Sequence, residues 1–143
     1  MSTAVLAEEN SRLARLFRVD IWNDLSIADE ISAADAVFHV DDPLTPELAS
    51  GPEGLRQLIN TYLGAFPDAS CTVDKLVIEG DTVVARWTAT GTHRGNLGSI
   101  APTGKPIKIT GIEIHRIENG KIKETWINWD TLGMLKQLGI GVS

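Results

Sequence analysis

Cysteine is nearly absent: Cys71 is the one thiol in 143 residues. A single thiol cannot close an internal disulfide and is too few for a thiolate metal cage, so Cys71 reads as a small buried hydrophobe. Positive charge is also scarce, with 13 Lys and Arg against 19 Asp and Glu and a net charge of −6. No Lys/Arg block occurs, which argues against nucleic acid and anionic membranes, because that attraction sums over clustered cations. Long apolar runs are missing. No uncharged stretch reaches a dozen residues, whereas a spanning helix needs about 20 apolar ones. The first twenty residues carry Glu8, Glu9, Arg12, Arg15, Arg18 and Asp20 where a signal peptide would have a continuous apolar segment. The expected compartment is the cytoplasm. Internal repeats, low-complexity tracts and linker-like segments are lacking too.

What is present, 43% hydrophobic and 22% charged residues, is the arithmetic of one soluble globular domain over residues 1–143, large enough for a core and a modest cavity. Leu6, Leu13, Leu16, Phe17, Ile21 and Trp22 recur at three- and four-residue steps, predicting a helix over roughly Val5 to Trp22 with one buried face. Ser26 followed by Asp29 resembles a capping box and opens a short helix to about Ala34. Ala36 to Val40 is a strand candidate. After the turn chemistry of Asp41-Asp42-Pro43, Ser50 with Pro52 and Glu53 signals a third helix. Its Leu55, Leu58, Ile59, Tyr62, Leu63 and Phe66 share a face, and Pro67 ends it.

Beyond Ala69 the period changes from 3.6 to 2. Cys71 to Glu79 and Thr82 to Thr92 flank Gly80-Asp81, and Pro106 to Glu118 and Lys121 to Asp130 flank Asn119-Gly120, so two antiparallel hairpins are expected. Leu132, Leu135 and Leu138 form a last short helix stopped by Gly139. Helices followed by an antiparallel meander is α+β order, with a curved antiparallel sheet wrapping helices on one face.

A two-residue loop at Asn119-Gly120 sets Glu118 opposite Lys121. Continuing that ladder, His115 meets Glu124, Glu113 meets Trp126 and Gly111 meets Asn128. One face then collects Glu113, His115, Glu124, Trp126, Asn128 and Asp130, and the other collects Ile112, Ile114, Ile127 and Trp129. Carboxylates, an amide and an indole N–H on one surface suit proton transfer, which needs a base, donors for an oxyanion and an apolar wall. The opposing reading makes this the solvated side and the isoleucine side the core. His115 is expected to pair with Glu124 near the turn. The glycine-containing loop Gly95 to Lys105 lacks phosphate-loop spacing and precedes no helix, and suits a flap over a pocket mouth. His39, His93 and His115 lack helical metal spacing, and no serine stands in a nucleophile elbow.

The segment from about Gly51 to Gly139 resembles the SnoaL-like polyketide cyclases, or ester cyclases, of the nuclear transport factor 2-like superfamily. The resemblance is carried by Ala65-Phe66-Pro67-Asp68, Gly91-Thr92-His93, Pro102-Thr103-Gly104, Asn119-Gly120-Lys121-Ile122, and Asp130 with Gly133 and Gln137-Leu138-Gly139. It implies a cone-shaped bent antiparallel sheet closed by the N-terminal helices, an apolar pocket for a small hydrophobic or polyketide-like molecule, and a homodimer or higher homo-oligomer. It also implies a cofactor-free, metal-free aldol ring closure of a polyketide-type ester. The residue matching the family's acid/base Asp is Asp130, and Glu113 falls where antibiotic cyclases carry a pocket His.

On that reading Asp130 and Glu113 are the catalytic candidates, two carboxylates on one apolar pocket that raise each other's proton affinity. Trp126 and Trp129 desolvate Asp130, and Asn128 and His93 are oxyanion donors. Tyr62 and Phe66 roof the cone. Asp130 is equally a preferred helix cap ahead of Thr131, His93 a turn residue, and Tyr62 and Phe66 core. Isomerase, dehydratase or epoxide-hydrolase chemistry fits the same pocket, as does a non-catalytic binder of small hydrophobic ligands.

Overall fold

A computed structural model describes residues 2–141. Helix α1 (Thr3–Arg18) starts where the Ser2 side chain accepts from the Val5 N–H at 3.2 Å. It is shorter than its apolar period predicts. Past Arg18 the chain tightens into a 3-10 turn, Asp20–Trp22, which still buries Ile21. Helix α2 (Ile27–Ile31) has no side-chain cap from Ser26, so the expected capping box is absent. Instead Asp24 Oδ1 accepts from the Ser26 N–H at 3.1 Å and from its hydroxyl at 2.6 Å, closing the turn before the helix. Strand β1 (Ser32–Val40) follows at once, four residues earlier than the sequence suggests. Helix α3 (Pro52–Ala65) has Pro52 in its first turn and Gly51 as N-cap at φ 77, a left-handed value that glycine adopts without cost.

The strands are β2 (Ser70–Glu79), β3 (Thr82–Thr92), β4 (Pro106–Glu118) and β5 (Lys121–Trp129), and α4 (Thr131–Gln137) closes the chain. The spatial order is β1-β5-β4-β3-β2. Both expected hairpins form, with β2 on β3 and β4 on β5. The sheet is mixed and not wholly antiparallel, because β1 joins the edge of β5 in parallel, Phe38 opposite Thr125 and His39 opposite Trp126. A parallel partner separated by most of the chain leaves no local hairpin signal.

The curved sheet turns one face to the helices. There Phe17, Ile21, Leu55, Ile59, Val83 and Ile122 are buried in one cluster with Ile107, Ile109 and Met134. Along β4 the inward positions are Ile107, Ile109, Gly111, Glu113, His115 and Ile117, all buried. The segment between β3 and β4 docks on the end of α3: the Arg94 and Gly95 N–H groups donate to Ala65 O at 3.0 and 3.1 Å, and Leu97 is fully buried. Among the described residues no helix is long and apolar enough to cross a membrane.

The β4/β5 register departs from the expected ladder. Glu118 faces Lys121 and Ile117 faces Ile122, but Arg116 then faces Glu124, so Lys123 is an extra residue. This is a β-bulge, and it reverses the facing of every later β5 side chain. Beyond it His115 faces Thr125, Ile114 faces Trp126, Glu113 faces Ile127 and Ile112 faces Asn128.

Candidate functional site

The bulge decides which residues share a chamber. Glu113 and His115 lie inward, 1% and 0% exposed, as the polar-face reading of β4 requires. Trp126 (38% exposed) and Asn128 lie on the outer face with Ile112 and Ile114. The expected grouping of Glu113 with Trp126 and Asn128 is therefore corrected, and so is that of Ile127 with Ile112 and Ile114. His115 does not pair with Glu124. Its Nδ1 lies 2.8 Å from Thr125 Oγ1 and its Nε2 lies 3.3 Å from Glu113 Oε2, while Glu124 bonds the outer His39 at 2.6 Å.

The partner of Glu113 is Arg18, the last residue of α1. Its Nε donates to Oε2 at 3.2 Å and its Nη2 donates to Oε1, a bidentate pair with both side chains buried. The period of α1 puts Arg18 on the stripe of Asn10, Leu13, Ala14 and Phe17, and the Trp22 indole ties down its carbonyl at 2.8 Å. Burial pushes the Glu113 carboxyl up, but the Arg18 charge, with help from His115, outweighs it and holds the pKa below the usual glutamate value. Burial likewise disfavours charged Arg18, and Glu113 reverses that so the guanidinium pKa is raised. The expected elevation of Glu113 does not arise, because its carboxylate is paired with a cation.

Arg18 also faces a cavity of about 660 Å³, its open mouth included. The wall is mostly apolar, with Phe17, Leu58, Phe66, Trp87, Ile127 and Met134 among its residues. The Arg18 guanidinium stacks over the Trp87 ring, 3.9 Å from the ring centre. Cys71 lines the wall beside it, and burial pushes its thiol up against the opposing pull of Arg18. A concave, mostly apolar wall with few polar groups is the usual lining of a small-molecule site.

A second polar cluster backs another part of the wall. The Tyr62 hydroxyl lies 2.7 Å from Thr45 Oγ1 and donates to Asp42 Oδ1 at 3.2 Å, and the Trp129 indole donates to Asp42 Oδ2 at 2.9 Å. Asp42 also accepts from the Leu44 and Thr45 N–H groups and the Thr45 hydroxyl. Tyr62 and Trp129, edge to face at 5.5 Å, both line the cavity. Burial pushes the Tyr62 hydroxyl well up, and the neighbouring Asp42 charge adds to it.

Of the residues singled out from sequence, Tyr62, Phe66 and Trp129 line this cavity. Glu113 sits behind it, bound to the wall residue Arg18. Asp130 is exposed and caps α4, its Oδ1 accepting from the Gly133 N–H at 2.8 Å. Its desolvation by two tryptophans is not found, since Trp126 is on the outer face. His93 is fully buried but is not among the lining residues; its Nδ1 accepts from the Thr103 N–H at 3.1 Å, fixing the loop that follows. That loop packs against the end of α3, and the cavity lining includes none of its residues, so it is no flap at this mouth.

Sequence reading passed over Arg18, Asp42 and Trp87. Arg18 had a signal, a cation on an apolar helix stripe, whereas Asp42 reads only as turn chemistry. Among the described residues no group of three or more His, Cys, Asp or Glu is placed to hold a metal ion.

Solved structures share this architecture. TsrD from Streptomyces laurentii is 29% identical with a TM-score of 0.82, the match covering 99% of both chains. IdmH from Streptomyces antibioticus, a proposed polyketide cyclase, is 32% identical with a TM-score of 0.76, covering 91% of this chain and 98% of its own. AclR from Streptomyces galilaeus, a proposed hydroxylase, is 29% identical with a TM-score of 0.80, covering 96% and 89%. None of the curated proteins matches the chain. The family model of the SnoaL-like polyketide cyclases matches residues 12–138, reaching back through Arg18 into the second half of α1. With that match and this fold, the chain belongs to the SnoaL-like polyketide cyclase family.

Proposed function

We propose that the cavity is the reaction chamber of a cofactor-independent cyclase that closes a ring in a polyketide-type ester by an intramolecular aldol reaction. The observation that carries this reading is Arg18, a buried guanidinium on a wall that is otherwise mostly apolar. Charge that develops on an enolate oxygen inside a low-dielectric chamber is stabilised by a cation already fixed in place. Glu113 holds that cation still and neutralises it when no substrate is bound.

Proton movement falls to Tyr62 and Asp42. As a carbon next to the activated carbonyl gives its proton to the Tyr62 oxygen, the Tyr62 proton passes to Asp42, and the enolate remains beside Arg18. The enolate carbon then attacks the second carbonyl, forming the carbon–carbon bond and an alkoxide. Tyr62 protonates the alkoxide, and Asp42 returns its proton to Tyr62. Nothing is oxidised or reduced. Because burial keeps the free Tyr62 hydroxyl protonated, it is poised for the last step. Asp130, the acid/base position by family resemblance, is the competing candidate.

The test is turnover of a β-keto ester carrying a ketone placed for ring closure. Tyr62→Phe should lower kcat by about 10²- to 10⁴-fold, the usual worth of a positioned acid/base group, while Asp130→Asn stays within about twofold of the parent. The reverse pattern assigns the chemistry to Asp130 and removes Tyr62 from it. No turnover by the parent leaves the cavity as a binding site for small hydrophobic molecules, a reading its apolar wall also supports.

Pairing with a second copy belongs to the same proposal. The outer sheet face exposes Val77, Ile112, Ile114, Trp126 and Val37, and a contiguous apolar face of this kind commonly marks an interaction surface. Light scattering of Ile112→Arg should report a smaller particle than the parent.

A further inference from the structure

Trp87 is 3% exposed, yet its Nε1–H finds no acceptor among the described residues. An indole nitrogen is a donor only, and leaving such a group buried without a partner is costly enough that most native structures avoid it. Trp87 belongs to the cavity wall, and its ring is held from two sides. Below it lies Gly111, its partner across β3 and β4, where an added Cβ would overlap ring atoms Cζ2, Cε2 and Cη2. Above it lies the Arg18 guanidinium. A cation over the ring withdraws electron density from it and makes the N–H a stronger donor.

We infer that the Trp87 indole N–H is a specificity-determining donor, selecting ligands that bring an acceptor oxygen, a carbonyl or enolate, into the cavity on an otherwise apolar body. This rests on the cavity being the ligand site and not on the ring closure proposed above. The Arg18 charge reinforces the choice, since an electron-rich oxygen near it is favoured over a hydrocarbon edge. Two of the Arg18 donors are spent on Glu113, whereas the indole N–H is uncommitted. Gly111 leaves room for the ring against β4, and a ligand oxygen reaches the buried N–H by a small local shift of the wall.

The experiment compares 1-indanone with indane, two probes of one shape that differ by a carbonyl, in titrations of the parent and Trp87→Phe. The parent should bind the ketone about three- to tenfold more tightly than the hydrocarbon, the usual range for one neutral hydrogen bond, and Trp87→Phe should lose that preference while still binding indane. In the parent, which needs no substitution, the Trp87 indole N–H resonance should move downfield with indanone and not with indane. The infrared carbonyl stretch of bound indanone should be lowered, and restored in Trp87→Phe. An unchanged indole resonance, or a ketone preference that survives in Trp87→Phe, overturns the role of Trp87 and leaves the cavity reading intact. If neither probe enters the parent's cavity, both the inference and the reading of the cavity as a ligand site fall together.

Discussion

Replacing Glu113 with Gln tests the central feature of the interior. The substitution keeps the shape, removes the negative charge, and leaves the Arg18 guanidinium 6% exposed with an amide that cannot accept both of its bonds. Breaking a buried pair by removing one partner costs about 3–5 kcal/mol, a large part of the 5–15 kcal/mol, roughly, that a domain has. The control is Glu30→Gln: Glu30 pairs with Arg12 where the two side chains are 50% and 61% exposed, and such a pair is worth about 0–1 kcal/mol. Urea unfolding followed by tryptophan fluorescence measures both, and a Glu113→Gln loss below about 1 kcal/mol would refute the argument. Acid supplies a second check. The folded-state pKa of Glu113 is depressed below its usual 4.5. Its contribution is therefore fully present above the unfolded value and is lost as pH falls through the folded one. The gap in stability between parent and Glu113→Gln should thus be constant near neutrality and narrow below about pH 4.5.

Gly111→Ala forces a methyl into the Trp87 ring; overpacking of this kind costs about 1–3 kcal/mol, and the Trp87 indole resonance should shift even without ligand. Asp130→Ala should lower stability by about 0.5–2 kcal/mol through loss of the α4 cap, while Asp130→Asn, also a good cap, loses less; equal melting temperatures for the two would mean the cap contributes nothing. Phe17→Ala removes a ring packed on both Phe38 and His115 and should cost about 3–5 kcal/mol in denaturant unfolding.

Much of the fold is legible from periodicity because most elements carry their own signal. Asn119 and Gly120 take φ 52 and 73 at the hairpin tip, the conformation that a type I′ turn demands of this dipeptide. The bounds of β3 and β4 follow from turn and alternation alone. What escapes is non-local. The parallel pairing of β1 with β5 depends on chain folded between them, and the Lys123 bulge is an insertion that no residue type announces. That one residue separates the expected site from the observed one: without it Trp126 and Asn128 would point inward beside Glu113, and with it Thr125, Ile127 and Trp129 do.

Arg18 and Glu113 are each improbable where they stand, a cation on the apolar stripe of α1 and an anion on the inward face of β4, 95 residues apart. Neither can be buried alone at tolerable cost, so each fixes the other's setting. Slipping β4 by one residue would carry Glu113 to the outer face and leave the guanidinium stranded. Turning α1 by one residue would swing Arg18 off the stripe and leave the carboxylate stranded beside His115. The pair therefore discriminates against the neighbouring registers of the two elements that build the cavity, and it does so with a side chain that also lines the cavity wall. The cation that would stabilise an anionic intermediate in the proposed reaction is held in place by the contact that fixes these two elements against each other.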